Sequence, residues 1–222
     1  MSDHEELDPA IALALIDAES DRVRRALDVR LPVQLLVWGV AWCIGFGTLW
    51  WDVRRQQPFT GPGVFSAVVF SVLLIAAAVV TGVVIQAATR GRGGRSVRQG
   101  RDLGIFWGAG FTAFFVFAGG ISSVGLDPAA AGLLFAGGSV ILTGLAYLAM
   151  AAVFGGAVER ALGSWLLLLV AAGVWAGPVT LNLLIAVLGG GAFLVAAVVT
   201  WRSGLRRPAD PGSDFTSGAG RG

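Results

Sequence analysis

Lysine is missing altogether: all sixteen basic residues are arginine. Histidine and cysteine occur once each, as His4 and Cys43. A single thiol excludes an internal disulfide and a zinc site built from cysteines. One imidazole and one thiol, far apart in sequence, also exclude a Cys–His nucleophile pair. Charge of either sign is scarce, at 14% of residues, where soluble domains carry about 25%. The few charges are also clumped. None lies between Val64 and Thr89, and none between Leu103 and Leu126. A helix in water needs a polar outer face, whereas one in lipid does not. These gaps exclude a soluble core and predict a polytopic membrane protein.

What is present fits that class. Hydrophobic residues make up 55% of the chain and glycine contributes 33 residues. The apolar runs predict an all-α membrane protein with six transmembrane helices, at about 31–51, 63–88, 103–125, 129–154, 161–176 and 179–201. Runs of about twenty residues at 1.5 Å each match a hydrocarbon layer of about 30 Å. An amphipathic interfacial helix is expected to precede them within residues 1–30. Asp8 is a good N-cap there and Pro9 a good first helical residue. Ile11, Leu15, Ile16, Val23, Ala26 and Leu27 recur at helical spacing. Residues 202–222, rich in Arg, Pro, Gly, Ser and Asp, are expected to form a disordered cytoplasmic tail. The acidic start, MSDHEELDPA, does not read as a secretory signal.

The stretch RGRGGRSVRQGR, residues 90–101, sets the orientation. It holds Arg90, Arg92, Arg95, Arg98 and Arg101 and no acid. Moving five positive charges outward against an inside-negative potential would cost on the order of 11 kcal/mol per 100 mV. With both termini cytoplasmic, fourteen arginines fall inside and only Arg54 and Arg55 outside. The chain is therefore expected to be a multi-pass protein of the cytoplasmic membrane. The five loop arginines are candidate contacts for anionic lipid headgroups, or for a membrane or cytoplasmic protein partner. RGRGG also resembles RNA-binding Arg–Gly segments, but one short copy beside membrane spans does not make a nucleic-acid site.

Two resemblances bear on function. The segment ESDRVRRALDVRLPVQLLVWGVAWCIGFGTLW, residues 19–50, resembles the front end of a group of uncharacterised small bacterial six-span integral membrane proteins, often labelled only as transporters. That resemblance implies no catalytic or binding residue. The layout as a whole is similar to the permease half of an ABC-2-type exporter. It implies a separate ATPase that would contact the cytoplasmic loop. Those permeases carry an outer re-entrant hairpin between their last two spans, and Gly177-Pro178 leaves no room for one.

No charged residue lies deep in any predicted span, which argues against a proton- or ion-coupled pump. No P-loop, dinucleotide fingerprint, zinc motif or nucleophile elbow appears, so neither an enzyme nor a cofactor is expected. The polar residues placed in hydrocarbon include Gln34, Thr81, Gln86, Thr143, Tyr147 and Asn182. Tyr147 and Asn182 are the candidate buried polar contacts, each needing a partner across a helix interface or along a solute path. Gly104 with Gly108, and Gly119 with Ser123, are small-x-x-x-small pairs that predict close helix contacts. Gly189–Gly191 fits a close contact or a hinge. The reading this supports is a non-enzymatic accessory or interaction subunit of a membrane complex. The alternatives are a permease-like subunit needing an ATPase and a passive channel.

Overall fold

A computed structural model describes residues 31–89 and 95–205. The expected N-terminal helix, Arg90, Arg92 and the tail beyond residue 205 lie outside the described residues. Every regular element described is helical. The order is α1 (Leu31–Val53), α2 (Val64–Thr89), α3 (Arg95–Ser123), α4 (Pro128–Phe154) and α5 (Ala157–Gly173). A 3-10 turn, Val174–Ala176, leads to α6 (Gly177–Leu184), a π-helical turn, Ile185–Gly189, and α7 (Gly190–Leu205).

Five helical stretches are long and apolar enough to cross a membrane. The last of them covers Ala157–Ser203, 47 residues. Laid straight it would reach about 70 Å, more than twice the hydrocarbon thickness. It is not straight. Gly177 takes φ 82° after the 3-10 turn, a left-handed backbone that favours glycine. The chain then doubles back, so that Trp165 of α5 donates its indole N–H to the Leu188 carbonyl, 3.0 Å away. Gly173 likewise faces the side chains of Leu181 and Leu184.

Local signals explain most of the helix ends. Asp127 caps α4: its Oδ2 accepts from the N–H groups of Ala129 (3.0 Å) and Ala130 (3.2 Å), with Pro128 in the first turn. Gly155 ends α4 in the left-handed conformation at φ 72°, and extended Gly156 starts α5. Glu159 and Arg160, which fall between the fourth and fifth predicted spans (129–154 and 161–176), are therefore helical. Glu159 sits in the first turn of α5, where the helix dipole favours an acid. The third helix also begins earlier than expected, at Arg95 rather than near Leu103. The physical reason is that lipid does not set helix length. Arginine and glutamine are good helix formers, and the helix runs on past the apolar segment. Arg95, Arg98 and Arg101 are thus helical residues rather than loop residues.

Two helix pairs make the centre: α1 against α7, and α4 against α5. Each meets at glycines. A β-carbon added at Gly163 would stand 2.7 Å from the Gly144 carbonyl oxygen, and one at Gly144 would stand 3.1 Å from that of Gly163. A β-carbon at Gly190 would stand 2.8 Å from the Cys43 backbone nitrogen and 3.1 Å from the Gly39 oxygen. The backbones touch, and dispersion between them acts where the hydrophobic effect does not. A chain of rings then ties the pairs together. It runs Phe70 (α2), Phe46 and Trp42 (α1), Phe193 (α7), Tyr147 (α4) and Trp107 (α3), with successive centroids 4.9 to 6.1 Å apart.

Candidate interaction surfaces

The buried polar groups come first, because they decide whether the bundle interior offers a path. Ser139 donates to the carbonyls of Phe135 and Ala136, and Thr143 to that of Ser139. Both hydroxyls are satisfied within α4. Asn182 is buried, and its Nδ2 donates to the Pro178 carbonyl at 2.9 Å, one turn back on α6. Its Oδ1 is buried with no hydrogen-bond partner. The expected bond from Asn182 across a helix interface is therefore not made. The reason is geometric: the carbonyl four residues back lies within reach of its own side chain. Tyr147 is buried edge-on between Trp107 and Phe193, at 6.1 and 5.6 Å. It acts as a packing ring, and the structure does not bring it together with Asn182 in a common polar site.

Two indoles make interhelical bonds that the sequence does not announce. Trp38 Nε1 donates to Thr81 Oγ1 at 3.0 Å, joining α1 to α2. The Trp165 bond joins α5 to the π-helical turn. Bonds of this kind inside a bilayer contribute about 0.6 kcal/mol each. Thr81 is one of the polar residues that the sequence places in hydrocarbon, and nothing in the sequence pairs it with Trp38. Only their depths along the α1–α2 hairpin, which need the loop geometry, could have paired them.

That loop is well tied. Asp52, at the end of α1, accepts from the Gly63 N–H (2.6 Å) and the Ser66 hydroxyl (2.5 Å). It caps α2 from the neighbouring helix. Gln56 bridges the loop, donating to the Gly61 carbonyl at 2.9 Å and accepting from the Thr60 N–H at 3.1 Å. Phe59 reaches Gly132 of α4, where an added β-carbon would stand 3.1 Å from its ring. Arg54 lies over the Trp51 ring, with its guanidinium carbon 3.0 Å from the centroid. Trp175, at the tip of the α5–α6 turn, is 90% exposed. This end of the bundle thus carries Trp50, Trp51 and Trp175, the residues that favour headgroup level.

Among the described spans, α2 and α3 are the least covered. Only 6% of the apolar window of each is buried, against 39% for α1, α4 and the α5–α7 stretch. Although consecutive in sequence, the two helices pack on different neighbours, α2 on α1 and α3 on α4. The sequence expected Gly104, Gly108 and Gly119 to sit in close helix contacts. The structure corrects this: a β-carbon at any of them would meet nothing within 4 Å. The inward face of α3 is taken by large rings instead, with Trp107 and Phe111 stacked at 5.6 Å and Phe114 against Gly138. The small residues are left outside. Gly189 and Gly190, by contrast, do serve a close contact, against Trp42 and Cys43. They do so at the end of a π-helical turn, so contact and helix irregularity coincide.

Arg95, Arg98 and Arg101 occupy the first two turns of α3, and their side chains lie outside the described residues, as do Arg90 and Arg92. No protein-family model, no curated protein and no solved structure matches this chain.

Proposed function

We propose that this chain is a non-enzymatic, multi-pass subunit of a membrane complex, whose partners cover α2 and α3. The observation that supports this is the uncovered state of those two helices, with the Gly104–Gly108 pair of α3 facing outward. A small-residue face that no described helix of the chain uses is suited to another transmembrane helix, because backbones approach closely there. The expected result follows. Gly108→Leu leaves the chain's own unfolding midpoint unchanged, since the site is open. The same change reduces co-purification of a membrane partner, or of a second copy, at least tenfold in mild detergent. Wild-type protein that purifies alone and monomeric would sink the reading.

In this reading the α5–α7 stretch crosses twice, giving six crossings with both ends cytoplasmic. α5 is short for a span at 17 residues, about 25 Å, but lies within the range spans occupy. The arginines of residues 90–101 face the cytoplasm and its anionic leaflet. Single cysteines in a Cys43→Ala background test this. Trp175→Cys is expected to react with an impermeant maleimide on intact cells, and Arg98→Cys only after permeabilisation. Labelling of Arg98→Cys on intact cells would invert the topology. The permease alternative gains nothing from the α5–α6 connection, which is a single 3-10 turn with no room for a re-entrant hairpin.

A further inference from the structure

We infer that the groove between the start of α1 and the end of α7 holds one anionic phospholipid. It is an open groove of about 300 Å³, lined by Pro32, Leu36, Ala197, Val198, Trp201 and Arg202. The helices run antiparallel here, as the facing of Gly39 on Leu194 and Gly190 on Cys43 requires. Pro32 and Arg202 therefore lie at the same end of the bundle. Polarity is graded along the groove. Arg202 and the half-exposed Trp201 stand at the mouth, and Leu36, Val198 and buried Ala197 lie about one turn deeper. A phospholipid has the same order: phosphate, then glycerol, then methylenes. None of the described residues that line the groove is acidic, and Arg202 is the charged group among them. Basic pockets between transmembrane helices bind anionic headgroups by this chemistry.

This inference rests on the chain sitting in a bilayer, and is independent of any partner on α2 or α3. Native mass spectrometry of the detergent-purified full chain tests it, with phosphatidylglycerol and phosphatidylcholine added at equal amounts. The wild type is expected to retain one phosphatidylglycerol in preference, about fivefold for one arginine near the headgroup. Arg202→Gln, at an exposed helix end, is expected to bring that preference close to one. Val198→Trp, which fills the groove from an exposed position, is expected to remove the retained lipid of either kind. Equal retention of both lipids by the wild type overturns the inference, whatever fills the groove instead, including residues 1–30 of the chain itself. An unchanged preference in Arg202→Gln overturns it too. A chain that stays folded without detergent would instead defeat the membrane reading, so the two failures are distinguishable.

Discussion

Gly163→Ala is expected to destabilise the bundle, whereas Gly47→Ala stabilises it or leaves it unchanged. In a helix interior, glycine is worse than alanine by about 1 kcal/mol. Both changes therefore begin with the same local gain. Packing decides the sign. At Gly47 the new methyl meets nothing within 4 Å. At Gly163 it would lie 2.7 Å from the Gly144 oxygen and 3.0 Å from the Leu148 nitrogen. Both atoms are backbone, so neither can rotate away and α4 and α5 must separate. Overpacking of a tight site costs typically 1–3 kcal/mol and at times more. For Gly163→Val a loss of about 3 kcal/mol is expected, since β-branching adds bulk at the same contact. That is a drop of over a hundredfold in the folded-to-unfolded ratio. The SDS-unfolding midpoint in mixed micelles measures it. Equal midpoints for Gly163→Val and Gly47→Val would show that the α4–α5 crossing is not where the backbones meet.

These same glycines show what the sequence made legible. Apolar runs without charge placed most of the helices to within a few residues, the early start of α3 at Arg95 being the exception, because lipid on the outside removes the need for polar residues there. Asp127-Pro128 announced the start of α4 through capping chemistry, which is local. Contacts between helices were not legible in the same way. Gly104 and Gly108 carry the small-x-x-x-small spacing yet face outward, while Gly144 and Gly163 carry the crossing without any spacing in common. Spacing along one helix says which residues share a face. It does not say which face another helix covers. In water, amphipathicity answers that question; in lipid all faces are apolar, so the signal vanishes. Asn182 fails for a related reason. An amide in an apolar run was expected to reach a neighbouring helix, but the Pro178 carbonyl is nearer. The candidate arginines were legible as a charge pattern, which bears on topology and does not say which groups meet in space.

Phe193→Ala is expected to cost about 2 kcal/mol, less than the same change in a soluble core. The ring is 1% exposed and touches two others edge-on: Trp42 at 5.1 Å and Tyr147 at 5.6 Å. In water such a truncation costs about 3–5 kcal/mol, of which much is transfer of the ring out of water. A spanning helix stays in hydrocarbon when the bundle comes apart, so that part is largely absent. What remains is the cavity and the two aromatic pairs, worth about 0.5–1.5 kcal/mol each. The position makes the loss more than local. Phe193 is the ring through which the α1–α7 pair reaches Tyr147 of α4 and, beyond it, Trp107 of α3. Phe193→Leu keeps most of the volume and is expected to cost under about 1.5 kcal/mol, which separates ring–ring contact from simple filling. Phe106→Ala is the control, since Phe106 is 57% exposed and faces outward, and it is expected to leave the midpoint unchanged. If Phe193→Ala and Phe106→Ala unfold at the same SDS fraction, the rings are packed side by side without holding the helix pairs together.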